Sequence, residues 1–479
     1  MELHALTLKQ ARDGLRNKDF SSYELVKSCL EQIKRLNPKI NAFITVCHEQ
    51  ALEEAKVADD RRRKTEDGNL PLLGIPIAIK DNFCTKGIKT PAGSKVLADY
   101  LPVYDATVVK RLKDAGAIIV GKTNLDAWAH GSSGENSDFG PTRNPWSLDY
   151  VPGGSSSGSG AAVSSLMVPM ATGSDTGGSI RLPASFCNLV GLKPTYGRVP
   201  RTGVVAMASS LDAIGHLTRT VEDSVMILSI TAGQDGFDAT CLTAPIPDYT
   251  KNLSKGVNGV KIGLPKEYFS EGLDPAVREK TMAAIKTLEN LGAKIIDISL
   301  PHTEFAIAAY YIIMSSEVSS NLARYDGIRY GSARENFGDE AKRRIMLGTY
   351  ALSSGYYDQY YAKAQKVRTL IINDFKKVFE KCDCLAAPVS PTPPFKLGEK
   401  NNDPLLMYLS DILTVTANLA GLPALSVPAG FIKDERTELP IGIQFLGPQL
   451  SEELLFRIGF ALENENKYYQ KKPELIKNG

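Results

Sequence analysis

The chain has 479 residues, of which 43% are hydrophobic and 23% are charged, and its formal net charge is +2. This composition is ordinary for a globular protein with an extensive core, and the balanced charge excludes a protein that binds nucleic acid mainly through a basic surface. No apolar stretch is as long as a membrane span, and the first residues lack the pattern of a signal peptide. We therefore expect a cytoplasmic protein without membrane contact.

The first part of the chain predicts helices. Ser21 and Glu24 form the S-x-x-E pattern of a capping box, which predicts an amphipathic helix that stops at the Asn-Pro pair of residues 37–38. A second helix is predicted over 46–62.

A short buried strand is predicted next. Residues 72–81 are apolar until they reach Lys80 and Asp81. Open α/β sheets place their chemistry at the carboxyl ends of such strands. These two charged residues are therefore candidates for a functional site.

Helix, glycine and strand then follow one another twice, over 105–121 and 274–298. This alternation predicts an α/β fold with a large mixed, largely parallel central sheet covered by helices on both faces. We expect a single domain over 1–479, on which a helical segment, 1–65, packs. Further core strands are predicted over 385–389, 424–427 and 441–446, and a closing helix over 452–463.

Residues 151–181 contain two clusters of glycine and serine, separated by the small and apolar run 161–171, which predicts a buried helix. Composition alone suggests a flexible linker, but a linker has no reason to contain such a run. Two glycine-rich loops of this kind bring backbone N–H groups and hydroxyls to one place, as anion and oxyanion sites require.

Most familiar hydrolytic motifs are absent from the sequence. None of the five histidines has a motif-like setting, and the sequence has no G-x-S-x-G elbow and no P-loop. No metal site is predicted either, because the one close cysteine pair, Cys382 and Cys384, has no second Cys or His pair near it and is better explained by alternation along a strand. The seven scattered cysteines are typical of reduced thiols.

What remains is a serine activated by a lysine whose pKa is lowered by burial. Lys80 fits this role, although an exposed lysine at the strand end is favoured on spacing alone. Ser179 is the candidate nucleophile because residues 176–178 can present bare N–H groups to an oxyanion. Ser155 lies in the other cluster and can relay a proton between the two.

Three stretches closely resemble the core of the amidase signature family. They are the Ile-Ala-Ile-Lys-Asp around Lys80 and the segments 153–156 and 173–181, and the spacing of 24 residues from Ser155 to Ser179 also agrees. A match of this length is far more specific than a single short motif.

The resemblance implies a Ser-Ser-Lys triad. Ser179 would attack an amide carbonyl, Ser155 would bridge through a cis peptide bond, and neutral Lys80 would take the proton and return it to the leaving ammonia. The sequence departs from the family pattern at Ser157 and Gly160, near the start of the predicted helix. The implied oxyanion hole consists of the backbone N–H groups of Thr176, Gly177, Gly178 and Ser179.

Other stretches resemble the glutamine-hydrolysing subunits of tRNA-dependent amidotransferases, a branch of this family. The resemblance implies that Arg344 binds the α-carboxylate of glutamine, that Asp411 binds its α-ammonium, and that Tyr310 lines the pocket. A planar guanidinium suits a carboxylate, and a carboxylate suits an ammonium. From the residues alone, a surface ion pair for Arg344 and a helix cap for Asp411 are favoured. The stretches are 310–313, 343–357 and 409–413.

The resemblance further implies a glutaminase that forms a glutamyl ester on Ser179 and supplies ammonia to a partner. That partner, the B subunit of a heterotrimer, would convert Glu-tRNA(Gln), and in some systems Asp-tRNA(Asn), with ATP and Mg²⁺, while a small C subunit steadies the assembly. The tRNA would contact mainly the B subunit, and this chain would need no metal or organic cofactor. The alternatives are a stand-alone amidase that hydrolyses small amides with the same triad, and a non-catalytic scaffold.

Overall fold

The computed structural model describes residues 2–64, 70–401, 403–434 and 437–477. The described strands are β1 (Phe43–Val46), β2 (Pro76–Lys80), β3 (Ile118–Thr123), β4 (Met170–Asp175), β5 (Val190–Lys193), β6 (Ala213–Thr218), β7 (Lys261–Pro265), β8 (Lys294–Ile298), β9 (Cys384–Pro388), β10 (Ala424–Asp434) and β11 (Thr437–Leu446). They form one sheet in the order β1-β3-β2-β4-β6-β5-β10-β11-β9-β7-β8.

The sheet is surrounded by α-helices. Those described are α1 (Leu8–Asn17), α2 (Ser22–Ile40), α3 (His48–Arg63), α4 (Thr107–Asp114), α5 (Ser157–Ser164), α6 (Arg181–Phe186), α7 (Val221–Thr231), α8 (Pro275–Asn290), α9 (Ala306–Leu322), α10 (Asp339–Leu352), α11 (Lys363–Val378), α12 (Pro404–Leu409), α13 (Val415–Leu419), α14 (Glu452–Asn466) and α15 (Glu474–Lys477). Among the described residues, no helix is both long and apolar enough to cross a membrane.

Both faces of the sheet are buried against helices. In β2, Ile77 and Ile79 pack into a core that includes side chains of α4, α7 and α14, whereas Ala78 packs on the opposite face with α3 and α5. In β9, Cys384 belongs to the first core, and Leu385 packs on the other face with α9 and α11. The prediction of a mixed sheet covered on both faces is therefore confirmed.

The prediction that the sheet is largely parallel is wrong. Among the described strands, six adjacent pairs are antiparallel, and only β3-β2, β2-β4, β9-β7 and β7-β8 are parallel. The parallel pairs lie in the two flanks, where the predicted helix and strand of 105–121 are α4 and β3, and those of 274–298 are α8 and β8. In the centre, β6 is inserted between β4 and β5 and is antiparallel to both, and β10 and β11 form a hairpin.

Two helix predictions also differ from the structure. The capping box of Ser21 is present, but α2 continues through Pro38 to Ile40 instead of stopping at residues 37–38. The run 161–171 is not one helix, because α5 ends at Ser164 and β4 begins at Met170. Pro169 lies between them, and proline disfavours a helix both at its own position and at the preceding residue.

The sequence predicts a single domain over 1–479 and a helical segment over 1–65. The ends of these ranges, residues 1, 65 and 479, lie outside the described residues. Within the described part, α1, α2 and α3 pack against the strands through apolar side chains such as Leu25 and Val26. The division of the chain into domains remains a prediction.

Candidate active site

Lys80 ends β2 and has no solvent exposure. Its Nζ lies 2.9 Å from both Ser155 Oγ and Ser174 Oγ. Burial lowers the pKa of Lys80 to about 7, against the opposing attraction of three nearby aspartates. The alternative of an exposed lysine is therefore contradicted. Near neutral pH, a large share of the amine is uncharged and can accept a proton from Ser155.

Ser155 follows a cis peptide bond between Gly154 and Ser155. Its side chain is fully buried, and its carbonyl oxygen accepts a hydrogen bond from Asp126 N–H at 3.3 Å. The two departures from the family pattern do not displace the helix, because Ser157 is the first residue of α5 and Gly160 lies inside it.

Ser179 lies in the turn between β4 and α6, and 7% of it is exposed. Its carbonyl oxygen accepts a hydrogen bond from Ser156 N–H at 3.1 Å. The two glycine and serine clusters therefore meet, as predicted for an acyl-transfer site. Because the side chain of Ser179 is only slightly exposed, an approaching substrate must be largely removed from water.

The turn that carries Ser179 is organised by Asp175. Its carboxylate accepts hydrogen bonds from Gly178 N–H at 2.9 Å and from Ile180 N–H at 3.1 Å. Gly178 has a φ of 142°, a conformation that residues with a side chain rarely adopt. This arrangement aligns successive backbone N–H groups beside the serine.

The predicted set of four oxyanion donors needs one correction. The N–H of Gly178 is already bonded to Asp175 and is not free for an oxyanion. Within the part of the chain that the structure describes, the backbone N–H groups of Thr176, Gly177 and Ser179 donate no hydrogen bond. These three donors are available where negative charge develops during acyl transfer.

Several polar residues at the site were not predicted from the sequence. Ser174 accepts hydrogen bonds from Lys80 Nζ and from Asn82 Nδ2 at 3.1 Å. Asp212 accepts one from Thr176 Oγ1 at 2.7 Å, and Asp126 lies fully buried beside Ser155. The alternation of Thr172 and Ser174 along β4 was an available signal for Ser174, because residues two apart face the same side of a strand. No such signal marks the two aspartates.

Tyr310 is buried in α9 and lies against the nucleophile turn. A Cβ atom built on Gly177 would lie only 2.5 Å from Tyr310 Oη. The phenol therefore approaches the turn so closely that only glycine fits there. This places Tyr310 at the wall of the site, as the family resemblance implies.

Arg344 projects from α10 with 4% of its side chain exposed. Its Nε lies 2.8 Å from Glu340 Oε1, and its guanidinium lies over the rings of Tyr311 and Tyr408 at 5.6 and 5.9 Å. The ion pair is thus buried, not at the surface as the alternative supposed. Burial alone would lower the pKa of Arg344, but Glu340 and the tyrosines raise it, so the side chain stays charged.

Asp411 is also buried, and its carboxylate does not cap a helix. Both carboxylate oxygens lie 2.8 Å from Ser132 Oγ, and Tyr311 Oη donates to one of them at 3.2 Å. The alternative of a capping aspartate is therefore contradicted. Burial raises the pKa of Asp411 to about 6, against the hydrogen bond from Ser132 and the charge of Arg344.

Tyr311 joins the two opposite charges, because its ring contacts Arg344 and its hydroxyl bonds to Asp411. Thr414 connects this pair to the nucleophile turn, since its Oγ1 donates to the carbonyl oxygens of both Gly177 and Asp411. A buried cation and a buried anion thus lie beside the turn of Ser179. This arrangement is complementary to a free amino acid with an amide side chain.

The space around the site is lined by polar groups but by no metal-ligand cluster. In the described ranges, no group of three His, Cys, Asp or Glu side chains lies close enough together to hold a metal ion. A cavity of about 260 Å³ is lined by Asn82, Ser174, Thr176 and Asp212, and it gives space next to the side chains that surround Lys80.

The fold and this site define an amidase. The family described as Amidase matches residues 24–456, and the chain belongs to this family of enzymes.

Three similar proteins narrow the comparison. The chain is 53% identical to the A subunit of the glutamyl-tRNA(Gln) amidotransferase from Geobacter metallireducens, over 98% of this chain and 99% of the relative. The crystal structure of the A subunit of the glutamyl-tRNA(Gln) amidotransferase from Thermotoga maritima matches with a TM-score of 0.83 and 43% identity, covering 97% of this chain and 95% of that one. A bacterial aryl acylamidase of the amidase signature family matches with a TM-score of 0.87 and 26% identity, covering 100% of both chains.

Proposed function

We propose that this chain is the glutamine-hydrolysing subunit of a multi-subunit, tRNA-dependent amidotransferase. The observation that carries the proposal is the buried pair of opposite charges, Arg344 and Asp411, on either side of Tyr311 and next to the turn of Ser179. A simple amide has no use for two buried charges, whereas free glutamine matches both. The 53% identity to the A subunit of an amidotransferase supports the same conclusion.

In the first half of the reaction, Arg344 binds the α-carboxylate of glutamine and Asp411 binds its α-ammonium. Ser179 Oγ attacks the amide carbon while its proton moves to Ser155 Oγ, whose own proton moves to Lys80 Nζ. The N–H groups of Thr176, Gly177 and Ser179 stabilise the negative oxygen that forms.

In the second half, the C–N bond breaks and Lys80 returns its proton through Ser155 to the leaving nitrogen, which departs as ammonia. A glutamyl ester remains on Ser179. Water then attacks this ester with the same base, glutamate leaves, and Ser179 regains its proton. The sum is glutamine and water converted to glutamate and ammonia.

The ammonia is used by a partner. We propose that the B subunit of the complex converts Glu-tRNA(Gln) to Gln-tRNA(Gln) with ATP and Mg²⁺ and makes most of the tRNA contacts, and that a small C subunit steadies a heterotrimer. The net charge of +2 supports this division, because a chain that bound tRNA extensively needs many more basic residues. We propose no metal or organic cofactor for this chain. Its predicted cytoplasmic location would place it with aminoacyl-tRNA.

The second candidate is a stand-alone amidase that hydrolyses small amides with the same triad. The observation that favours the stand-alone amidase is the 26% identity to an aryl acylamidase, which extends over the whole chain. The two candidates differ in substrate, since an aryl amide lacks the α-carboxylate and α-ammonium that Arg344 and Asp411 would bind.

The deciding experiment expresses the chain with and without the products of its neighbouring genes. Glutamine-dependent amidation of Glu-tRNA(Gln) by the co-purified complex, and its loss when this chain is omitted, supports the proposal. The same assay with Asp-tRNA(Asn) tests the second tRNA substrate. Rapid hydrolysis of aryl amides by the chain alone, without glutaminase activity, would instead support the stand-alone amidase.

Ser179→Ala serves as the control within that complex. It should abolish glutamine-dependent amidation while amidation with added ammonium salts continues, because the partner's chemistry does not need this serine. Unchanged glutamine turnover in the Ser179→Ala complex would refute the nucleophile assignment.

A further inference from the structure

The loop of residues 126–136 contacts the site at more than one point. The carboxylate of Asp126 closes the loop on itself, because it accepts hydrogen bonds from Gly134 N–H at 3.0 Å and from Asn136 N–H at 2.9 Å. The backbone N–H of Asp126 donates to the carbonyl oxygen of Ser155 at 3.3 Å. The loop is therefore closed by one carboxylate and tied to Ser155 at its first residue.

Ser132 lies in the same loop, is 3% exposed, and makes two separate contacts. Its carbonyl oxygen accepts a hydrogen bond from Gly154 N–H at 2.8 Å, immediately before the peptide bond to Ser155. Its hydroxyl lies 2.8 Å from each carboxylate oxygen of Asp411 and donates to that carboxylate. One buried residue thus connects Asp411 with the peptide that carries Ser155.

The contact between the loop and Gly154 leaves no free space. A Cβ atom built on Gly154 would lie 2.1 Å from Asp126 Oδ2 and within 3.0 Å of the backbone nitrogens of Ser133 and Gly134. Interiors this densely packed transmit a displacement and do not absorb it. A shift of Ser132 is therefore passed on to Gly154 and Ser155.

We propose that Ser132 is a positioning residue that couples binding of the α-ammonium of glutamine at Asp411 to the placement of Ser155. This inference rests on the proposed function, because it takes a free amino acid as the substrate. An ammonium bound at Asp411 fixes the carboxylate, the hydroxyl of Ser132 follows the carboxylate, and its carbonyl holds Gly154. An amide without the α-ammonium does not fix the position of the Asp411 carboxylate. Such an amide is therefore disfavoured through a lower kcat as well as through a higher KM.

The raised pKa of Asp411, about 6, is consistent with this coupling. Slightly below neutral pH, Asp411 is protonated in a fraction of the molecules. An incoming cation keeps Asp411 in the ionised form that accepts the hydrogen bond of Ser132. Arg344 opposes the rise in the pKa of Asp411, and Asp175 adds to it. Burial lowers the pKa of Lys400, and the charge of Asp411 in turn opposes that shift. Tyr311 Oη donates a hydrogen bond to the Asp411 carboxylate.

The test uses the assembled complex and two substrates, glutamine and 4-carbamoylbutanoate, which is glutamine without its α-amino group. Ser132→Ala removes the hydroxyl and keeps the carbonyl that accepts from Gly154. We expect kcat on glutamine to fall roughly 10- to 100-fold, as for the loss of a hydrogen bond to a charged group. For 4-carbamoylbutanoate we expect a change in kcat of less than about 2-fold, because that substrate has no ammonium to fix the position of the Asp411 carboxylate. Ser132→Thr keeps the hydroxyl and should restore most of the wild-type ratio of kcat on glutamine to kcat on 4-carbamoylbutanoate.

Ser133→Ala is the matched control, since Ser133 is also buried in the loop but its hydroxyl accepts from Glu135 N–H instead. It should leave the ratio of the two kcat values unchanged. An equal loss of kcat on both substrates overturns the inference, because that is a general structural effect. A rise in KM for glutamine with unchanged kcat overturns it too, because that is a simple binding effect.

Two further outcomes are distinguishable from these. If Ser132→Ala gives no folded complex, Ser132→Cys, a weaker donor of similar size, is measured in the same way and with the same criteria. If the unmutated complex releases ammonia from 4-carbamoylbutanoate but not from glutamine, the proposed function itself fails, and this inference fails with it.

Discussion

Asp175 and Arg181 form a buried ion pair that holds the turn carrying Ser179. Arg181 Nη2 lies 3.0 Å from Asp175 Oδ1, Arg181 Nε lies 3.1 Å from Oδ2, and neither side chain is exposed. The same carboxylate accepts the N–H groups of Gly178 and Ile180. Burial alone would raise the pKa of Asp175, but the charge and hydrogen bonds of Arg181 lower it to about 2. The carboxylate therefore stays ionised wherever the enzyme works.

Asp175→Asn should destabilise the protein and inactivate it. The amide group of asparagine would point an N–H at the N–H groups that now donate to Asp175, and it would leave Arg181 without its counter-charge. Breaking a buried pair in this way typically costs about 3 to 5 kcal/mol. Urea denaturation measures the loss of free energy of unfolding. Asp114→Asn is the control, because Asp114 pairs with Lys110 at the exposed surface and should contribute less than about 1 kcal/mol. Equal effects of the two substitutions would show that the turn does not depend on the ion pair.

Glutaminase activity should rise with pH through about 7. Burial lowers the pKa of Lys80 to about 7, and only the neutral amine accepts a proton, so kcat at pH 6 should be about one tenth of its plateau. Lys80→Arg keeps a charge but cannot lose its proton, and its residual rate should not follow this profile. Lys86→Ala, at an exposed lysine of the following loop, should retain the wild-type profile. A wild-type rate that is flat between pH 6 and 8 would argue against Lys80 as the base.

Gly177→Ala should impair catalysis more than folding. The new methyl group would lie 2.5 Å from Tyr310 Oη, so either the phenol or the turn must move. We expect kcat to fall at least about 100-fold, as for misplaced catalytic groups. Gly160→Ala is a matched control in the other cluster, since the atom nearest to its new Cβ would be Pro183 Cβ at 3.1 Å, with the Pro183 carbonyl oxygen and Cys187 Sγ farther away. Similar kcat values for the two variants would mean that the approach of Tyr310 is not needed.

Arg344→Lys should raise KM for glutamine by roughly 10- to 100-fold, because lysine cannot reproduce a two-pronged contact with a carboxylate. With 4-aminobutanamide, which is glutamine without its carboxylate, the same variant should behave like the wild type. Arg343→Lys is the control, because Arg343 is the exposed neighbour and also pairs with Glu340. A rise in KM for both substrates would contradict a carboxylate-binding role.

The parts of the fold that depend on local pattern were predictable from the sequence. The flanks built on 105–121 and 274–298 follow directly from helix, glycine and strand in succession. The centre was not predictable, because the insertion of β6 between β4 and β5 depends on pairing between distant segments. Periodicity shows what an element is and does not show which neighbour it pairs with.

The same division applies to the site. The family motif identified Ser155 and Ser179 and pointed to Lys80, but it does not show that the N–H of Gly178 is already bonded to Asp175, since this depends on the exact geometry of the turn. The contact of Lys80 with Ser174 spans 94 positions in the chain and becomes visible only when β2 and β4 lie side by side. Asp126 has no motif at all and is recognised only by its burial next to Ser155.

The burial of Lys80 has a thermodynamic consequence for the whole protein. In the unfolded chain an ordinary lysine keeps its proton until about pH 10, whereas the folded side chain has a pKa of about 7. Unfolding therefore takes up a proton between these values, and stability rises with pH across that window. Below pH 7 the penalty is fully present and amounts to roughly 5 kcal/mol.

A penalty of that size is comparable to the entire net stability of many domains. A neutral side chain of similar size at this position would remove that penalty, but it would also remove the base and its contacts with Ser155 and Ser174. The stability that the buried Lys80 costs below pH 7 therefore comes from the same lowered pKa that allows this amine to accept a proton in the site.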